Sequence, residues 1–370
     1  MSQLRILFVV PKLPKRRGEV AYSFIREEID ALEGSNQIKS LTLSVDYKNA
    51  QKTLVQLPEF IRQYNTIDLI HAHFVVPYGF IGSVIAEIYR KPLIITVHGF
   101  DILVNKQLGY GLNRFGFFRL LTKFALHKSC KIIANSTTLK DECLKYGVSS
   151  SKISVIPLGV NLDVFKPISQ NDLEKLISDE LKQTCIEKDS INILCPKRME
   201  KIYGIEYLLK AVKILIERKV KSFRLILIKW GTQTKHYRSL ISQFNLSNNV
   251  IFLKPISRTA MPLLYNVSDF TVVPSLVEGF GLTVAESLAC GRPVIGTAIG
   301  GILDQIVDGY NGFLVDPRSA LNLADRMQIL IEDDHLRKEM SVKAREFAES
   351  RLDLKNRVTN IIRLYKKIAE

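Results

Sequence analysis

Short, continuous apolar runs alternate along this chain with longer stretches in which apolar side chains recur every three or four residues. A run of four to seven apolar residues suits a strand buried on both faces, and the wider spacing suits a helix that covers it. In the first half, strands are expected at 4–10, 40–45, 69–73, 93–97 and 131–134, and helices at 20–32, 57–63, 80–89, 113–127 and 138–146. The alternation restarts further on, with strands at 191–195, 224–228, 250–253, 270–273 and 293–296. Helices are expected between them at 205–217, 236–244 and 260–267, with another starting at Leu282 and outer helices at 323–330 and from Ala344 onward. Residues 168–190 turn polar without a strand pattern, which makes them the interdomain linker. Strand–helix alternation of this kind predicts parallel, doubly wound sheets whose ligands lie at the carboxyl ends of the strands. The expected class is therefore α/β, with Rossmann-like domains at 1–167 and 191–352 and a last helix at 353–370. In that helix Val358, Ile361, Ile362, Tyr365 and Ile368 follow a 3.6-residue period.

Composition narrows the picture only in places. The 370 residues, 46% of them hydrophobic, suffice for two cores and exclude one small module. A formal charge of +15 suits nucleic acid, an anionic membrane or phosphorylated substrates, and charge alone does not choose. Five cysteines without C-x-x-C spacing argue against a disulfide framework and fit a reducing compartment. The apolar run 6–10 is too short for a signal-peptide core and reads as the first strand, so the expected location is cytoplasmic. Residues 69–86 hold no Asp, Glu, Lys or Arg, but His71, His73, Pro77, Gly79 and Gly82 interrupt them, and they read as strand, loop and helix rather than a membrane span.

The richest chemistry lies at 270–291. A strand ends at Pro274, a turn carries Glu278, Gly279, Phe280 and Gly281, and a helix opens at Leu282 with Glu286 one turn in. Gly291 stands where a left-handed cap would stop that helix. The amides of Gly279 to Leu282 at the positive end of the helix favour an anion. A carboxylate able to accept two hydrogen bonds from a vicinal diol, beside an amide nest for phosphate, is what a nucleotide sugar needs. Either glutamate alone reads as an ordinary solvated or first-turn acid. Together with the glycines, Pro274–Ser275 and Gly291–Arg292–Pro293, they read as a site.

This stretch resembles the E-x7-E signature of retaining glycosyltransferases of family 4, which have the GT-B fold. Residues 265–317 follow the family almost without interruption, Gly300–Gly301 and Asn311–Gly312 included. The resemblance implies two Rossmann-like domains facing a central cleft, the first for the acceptor and the second for the nucleotide sugar, with the last helix crossing back to the first. It assigns the diphosphate to Arg198 and a second cation, the ribose to Glu286 and the donor-sugar hydroxyls to Glu278. The family's lysine position holds Tyr203 here, so the second cation is Lys197 or Lys201, or is missing. Gly231 survives from a Gly-x-Gly turn whose first position is Lys229, and Ile256, beside Pro255 and Ser257, lines the base.

In the first half, Thr96-Val97-His98-Gly99-Phe100-Asp101 is similar to the family's His-Gly motif, which makes His98 the residue facing the transferred sugar and Gly99 and Asp101 its neighbours. Gly18 is the one glycine left of a pair that the family places after the first strand. For His98 the plain alternative is a strand-end histidine bonded to backbone. His71 and His73 share one strand face, but with no third ligand apparent no metal is expected there. Between Leu103 and Lys140 no acid occurs. Lys106, Arg114, Arg119, Lys123, Lys128 and Lys131 alternate with aromatic residues, and Phe117, Leu120, Leu121, Phe124 and Leu126 form an apolar stripe. That helix, 113–128, is either an interfacial helix for anionic lipid at the inner face of the cytoplasmic membrane or a basic surface helix packed on the sheet.

The resulting expectation is a retaining, hexosyltransferase-type enzyme. It moves a sugar from a nucleotide diphosphate to a hydroxyl of a glycan, lipid-linked, in surface polysaccharide or glycolipid synthesis. No cofactor beyond the donor substrate is expected, no metal in the absence of Asp-x-Asp, and no nucleic acid. A nucleotide-sugar epimerase of the same fold and a non-catalytic basic lipid- or nucleic-acid-binding protein are the alternatives.

Overall fold

The computed structural model describes residues 3–14, 21–45, 67–176 and 190–370. The expected helix at 57–63, the site glycine Gly18, Cys185 and most of the linker lie outside the described residues.

Contacts divide the chain into two units, 1–159 with 354–370, and 160–353. The first contains strands β1 (Leu4–Pro11), β2 (Ile38–Val45), β3 (Leu69–His73), β4 (Leu93–Val97), β5 (Lys131–Ala134) and β6 (Ile153–Val155). They form one parallel sheet in the order β2-β1-β3-β4-β5-β6. Its core joins Ile6, Phe8 and Val10 of β1 to Ile25, Ile29 and Leu32 of helix Ser23–Gly34 and to Val358, Ile361, Ile362 and Tyr365 of helix Leu354–Ala369. The 3.6-residue period at the end of the sequence therefore faces the first unit's core. Strand β6 was not anticipated: three residues, only the first of them buried, carry too little pattern.

The second unit holds β7 (Ile191–Cys195), β8 (Phe223–Ile228), β9 (Val250–Leu253), β10 (Phe270–Val273), β11 (Val294–Thr297) and β12 (Gly312–Val315). Their order, β12-β11-β10-β7-β8-β9, places the unit's first strand beside its fourth. Consecutive strands diverge from β7 and β10, and the crevice at their carboxyl ends is where doubly wound sheets bind ligands. Leu208, Leu209, Val212 and Leu215 of helix Ile205–Glu217 pack with Met327 and Leu330 of helix Ala320–Glu332 over this sheet. Residues 160–167, grouped with the first half on sequence, cluster with the second unit, where the guanidinium of Arg345 holds the Phe165 carbonyl.

The apolar stretch 69–86 is divided into β3 and the helix Phe80–Tyr89. Among the described residues, no helix is long and apolar enough to cross a membrane. Cys130, Cys143, Cys195 and Cys290 are unpaired thiols.

Candidate functional site

The end of β10 leads through Pro274 into the turn that carries Glu278, and the helix Leu282–Ala289 starts from Gly281 at φ 92°. A side chain there would be strained, which is why glycine stands at the start of this helix. The turn is pressed from the next loop. A Cβ on Gly300 would lie 1.9 Å from the Glu278 carbonyl oxygen, so only glycine lets the two backbones approach. Gln305, which the sequence reading missed, locks the turn by donating to the Phe280 and Gly301 carbonyls at 2.5 and 3.0 Å.

Two residues beyond β7, Lys197 reaches Glu278, Nζ to Oε2 2.5 Å. The Ser275 hydroxyl donates to the same oxygen at 3.0 Å. The two charged side chains are 7% and 14% exposed, an ion pair largely removed from water at the β7/β10 switch point. Burial, the largest single influence, would lower the lysine's pKa, but the Glu278 carboxylate together with Tyr203 and Cys195 more than offsets it and the net shift is upward. The ammonium also lies 5.0 Å from the centre of the Tyr203 ring. Lys201, on the short 3-10 turn Lys201–Tyr203, is exposed instead. The two lysines left equivalent by the sequence are thus separated by the fold.

Arg198 lies over the Trp230 ring at 4.9 Å and pairs with Glu200 at 3.3 Å. Glu200 in turn accepts from the Thr232 hydroxyl and amide at 2.6 and 3.0 Å. Gly231 (φ 144°) allows the end of β8 to cross this segment, since a Cβ there would sit 2.5 Å from the Met199 carbonyl oxygen. Lys229 points outward and is exposed.

Glu286 is buried and both of its oxygens are engaged. Arg258 pairs with Oε1, and the Tyr265 hydroxyl donates to Oε2 at 2.8 Å. Burial and the adjacent carboxylate push the Tyr265 phenol well above its ordinary pKa, so it remains a donor. Neither partner was singled out on sequence. Arg258, two residues past Ile256, also stacks on Phe165 at 4.7 Å.

In the first unit, Asp101 does not face outward. It is fully buried and accepts from the amides of Val75, His98 and Gly99 at 2.9, 3.2 and 2.8 Å. Its carboxylate thus shapes the loop that carries His98 and Gly99; burial raises its pKa and these amides oppose the rise. His98 keeps a partly exposed ring, flanked by Phe74 and Phe24 at 4.4 and 5.3 Å. Its Nε2 lies 3.2 Å from His73 Nδ1, and Asn135 Nδ2 lies 3.2 Å from its Nδ1. Burial pushes the pKa of His98 and His71 well below the ordinary value and that of His73 to about 3.

Contrary to the expectation from sequence, His71 and His73 have a third potential ligand beside them. Glu28, on the helix Ser23–Gly34, brings its carboxylate within 4.8 Å of both rings. That carboxylate is already met by a cation, since Arg357 Nε donates to Glu28 Oε2 at 2.6 Å. Both nitrogens of His71 are also engaged, with the Tyr365 hydroxyl at 2.5 Å and the Thr96 hydroxyl at 2.7 Å.

The stripe on the helix Gly116–Lys128 divides between two faces. Leu126 is buried beside Thr122 and Ala125, whereas Phe117, Leu120 and Phe124 are 67%, 69% and 44% exposed. The alternative of a basic surface helix packed on the sheet therefore does not account for Phe117 or Phe124. Val84 and Ile88 of the helix Phe80–Tyr89 are exposed as well, and Phe80 joins the two helices through Phe124, ring centres 5.8 Å apart.

Comparison with known proteins bears on this arrangement. The family model described as Glycosyltransferase Family 4 matches residues 27–164, and that described as Glycosyl transferases group 1 matches residues 177–347. The chain is 27% identical over 290 residues to a D-inositol 3-phosphate glycosyltransferase of Corynebacterium diphtheriae, a match spanning 76% of this chain and 66% of that protein. It is 29% identical to the protein of that name from Paenarthrobacter aurescens, over 76% of this chain and 69% of the relative. Among solved structures, sucrose-phosphate synthase from Thermosynechococcus elongatus superposes with a TM-score of 0.79 at 20% identity, covering 99% of both chains. Anabaena HepE in complex with UDP-glucose gives 0.78 at 20% identity over 99% of this chain and 100% of its own. At such identity these two establish the fold alone. With two matching models that between them take in most of the chain, the protein belongs to glycosyltransferase family 4 and has its GT-B fold.

Proposed function

We propose that this protein is a retaining glycosyltransferase that takes a sugar from a nucleotide diphosphate donor and passes it to a hydroxyl of a lipid-linked glycan. The observation that carries this reading is the Lys197–Glu278 pair at the β7/β10 switch point, with Arg198 next to it in sequence and Glu286 eight positions further on. Breaking the bond between sugar and diphosphate builds negative charge on the leaving phosphate and positive charge at the anomeric carbon. Fixed cations and a fixed carboxylate answer those two charges. Lys197 and Arg198 take the diphosphate, with Lys197 rather than exposed Lys201 as the second cation. Glu278, neutralised by Lys197 until the donor arrives, then turns to the sugar hydroxyls. Glu286 exchanges Arg258 for the ribose diol. His98 contacts the transferred sugar, and the leaving phosphate takes the acceptor's proton from the same face, which preserves the anomeric configuration without a general base.

The first donor to test is UDP-glucose, the molecule named in the HepE complex. A panel of nucleotide sugars is screened by thermal shift, since a ligand that binds only the native state raises the melting point. The selected donor is then followed by nuclear magnetic resonance with glycan acceptors. Retention of configuration and turnover in EDTA are expected. An inverted product or loss of turnover to the chelator would refute the mechanism, and conversion of donor without acceptor would point to an epimerase.

The lipid-linked acceptor rests on the exposed face of Phe117, Leu120 and Phe124, on a helix that also carries the exposed cations Arg119, Lys123 and Lys128. An amphipathic helix of this kind lies in the headgroup region, where each cation adds about 1 kcal/mol on an anionic surface. Synthesis of a surface polysaccharide or glycolipid at the inner face of the cytoplasmic membrane follows from that placement.

A further inference from the structure

The sequence leaves open how His98 is used, and its ring nitrogens settle the matter through their partners. Asn135 Nδ2 donates to the Val97 carbonyl at 2.8 Å and approaches His98 Nδ1 at 3.2 Å. Turning the Asn135 amide over would set its oxygen against that carbonyl, two acceptors face to face, so Val97 fixes the amide's orientation. With one amide hydrogen on Val97, the other is directed at His98 Nδ1, which must offer a lone pair. A neutral imidazole carries one proton, so that of His98 sits on Nε2 and is donated to His73 Nδ1, 3.2 Å away. His73 Nδ1 then accepts, and the His73 proton sits on Nε2, 3.9 Å from Glu28 Oε1. Glu28 is anchored through its other oxygen to Arg357.

We infer that His73 is a positioning residue for His98: Asn135 fixes the ring as the Nε2-protonated tautomer, His73 holds that proton in place, and together they leave no lone pair on His98 to take a proton from an acceptor hydroxyl. This rests on the reading of His98 as a sugar contact and sharpens it, because a ring with both nitrogens spoken for meets the sugar by its carbon edge and its backbone, and is excluded as a general base. The surroundings agree. Among the described residues, His71, Glu28, Arg357 and Tyr365 stand around the pair and the Asp101 carboxylate accepts from the His98 amide; burial, with His73, Arg357 and His71 adding to it, disfavours the protonated form of His98.

The test is ¹⁵N nuclear magnetic resonance of the full chain labelled at its six histidines, with His98 identified by loss of its signals in His98→Asn. The wild type is expected to show His98 with bare Nδ1, protonated Nε2 and slow exchange of that proton. In His73→Asn the side-chain oxygen replaces the Nδ1 acceptor and the slow proton persists. In His73→Phe the tautomer holds, since Asn135 still sets it, while the Nε2 proton exchanges roughly tenfold faster for want of its acceptor. A proton on His98 Nδ1, an ordinary titration of His98 between pH 6 and 7, or an unaltered exchange rate in His73→Phe would overturn the inference. No donor is present in these spectra. Failure of every nucleotide sugar to stabilise the protein would therefore remove the proposed function and leave the tautomer result standing.

Discussion

Replacing Lys197 by Met tests the ion pair at the centre of the second unit. The substitution keeps an unbranched side chain of similar length but removes the charge, leaving Glu278 with only the Ser275 hydroxyl on its paired oxygen. Removing one partner of a buried pair costs about 3–5 kcal/mol. Glu278 retains 14% exposure and one hydrogen bond, which places this case near the lower end, about 3 kcal/mol. For a unit the size of 160–353 that corresponds to a fall of roughly 6–12 °C in the melting temperature. In Lys197→Met/Glu278→Gln no charge is left unpaired, and most of the loss returns. Binding behaves differently. A charged hydrogen bond to a phosphate is worth about 1.5–3 kcal/mol, so calorimetry with UDP is expected to show roughly ten- to hundredfold weaker affinity in both variants. Stability is thus restored in the double variant while affinity is not. Equal melting temperatures for the single and double variants would refute the pairing argument, and undiminished UDP affinity in Lys197→Met would refute its assignment to the diphosphate.

Acid sensitivity follows from the buried histidines. His71, His73 and His98 all have native pKa values below their unfolded ones, so the unfolded chain binds more protons as the pH falls below about 6.5. Stability is therefore full above that pH and declines below it, by about 1.4 kcal/mol per pH unit for His73 and up to about 4 for the three together. Urea unfolding at pH 7 and pH 5 measures the decline, and equal free energies would contradict it. Arg258→Met leaves Glu286 with Tyr265 alone, and a loss of about 3 kcal/mol is expected in thermal unfolding. A nucleotide that supplies a diol to that carboxylate should raise the melting point more in this variant than in the wild type; an equal rise would count against ribose binding at Glu286. Phe117→Ser/Leu120→Ser is expected to reduce co-flotation with phosphatidylserine-containing liposomes at low salt while the melting temperature stays within about 1 °C, because both side chains are already in water. Unchanged flotation, or none by the wild type, would dispose of membrane docking.

The strand, turn and helix around Glu278 were legible because their signals are local. The apolar run 270–273 is β10 with the same bounds, and the glycines stand where backbones touch or turn left-handed. The third potential ligand beside His71 and His73 was not legible, since Glu28 precedes them by more than forty residues and arrives on a helix packed over β1. Lys197 sits just past β7 beside Glu278 whereas Lys201 lies on the turn at 201–203, a difference spacing does not reveal. Asp101 looked like a site acid because it follows His98 and Gly99, and its engagement by three amides appears only once the loop is closed. Strand β12, four residues opening with a glycine, and the half-exposed β6 are too short for periodicity to register.

The first unit is discontinuous in the chain, and this sets an order on its manufacture. Its sheet emerges from the ribosome early, yet Arg357, Ile361 and Tyr365 follow only after all of 160–353 has been translated. At 5–20 residues per second that interval is roughly 10–40 s. Until it ends, Glu28 lacks its guanidinium and one wall of Phe8 and Ile29 faces water. The nascent half-domain thus exposes apolar surface for that interval, whereas every core residue of the later-made unit, continuous in sequence, is translated before the helix Leu354–Ala369.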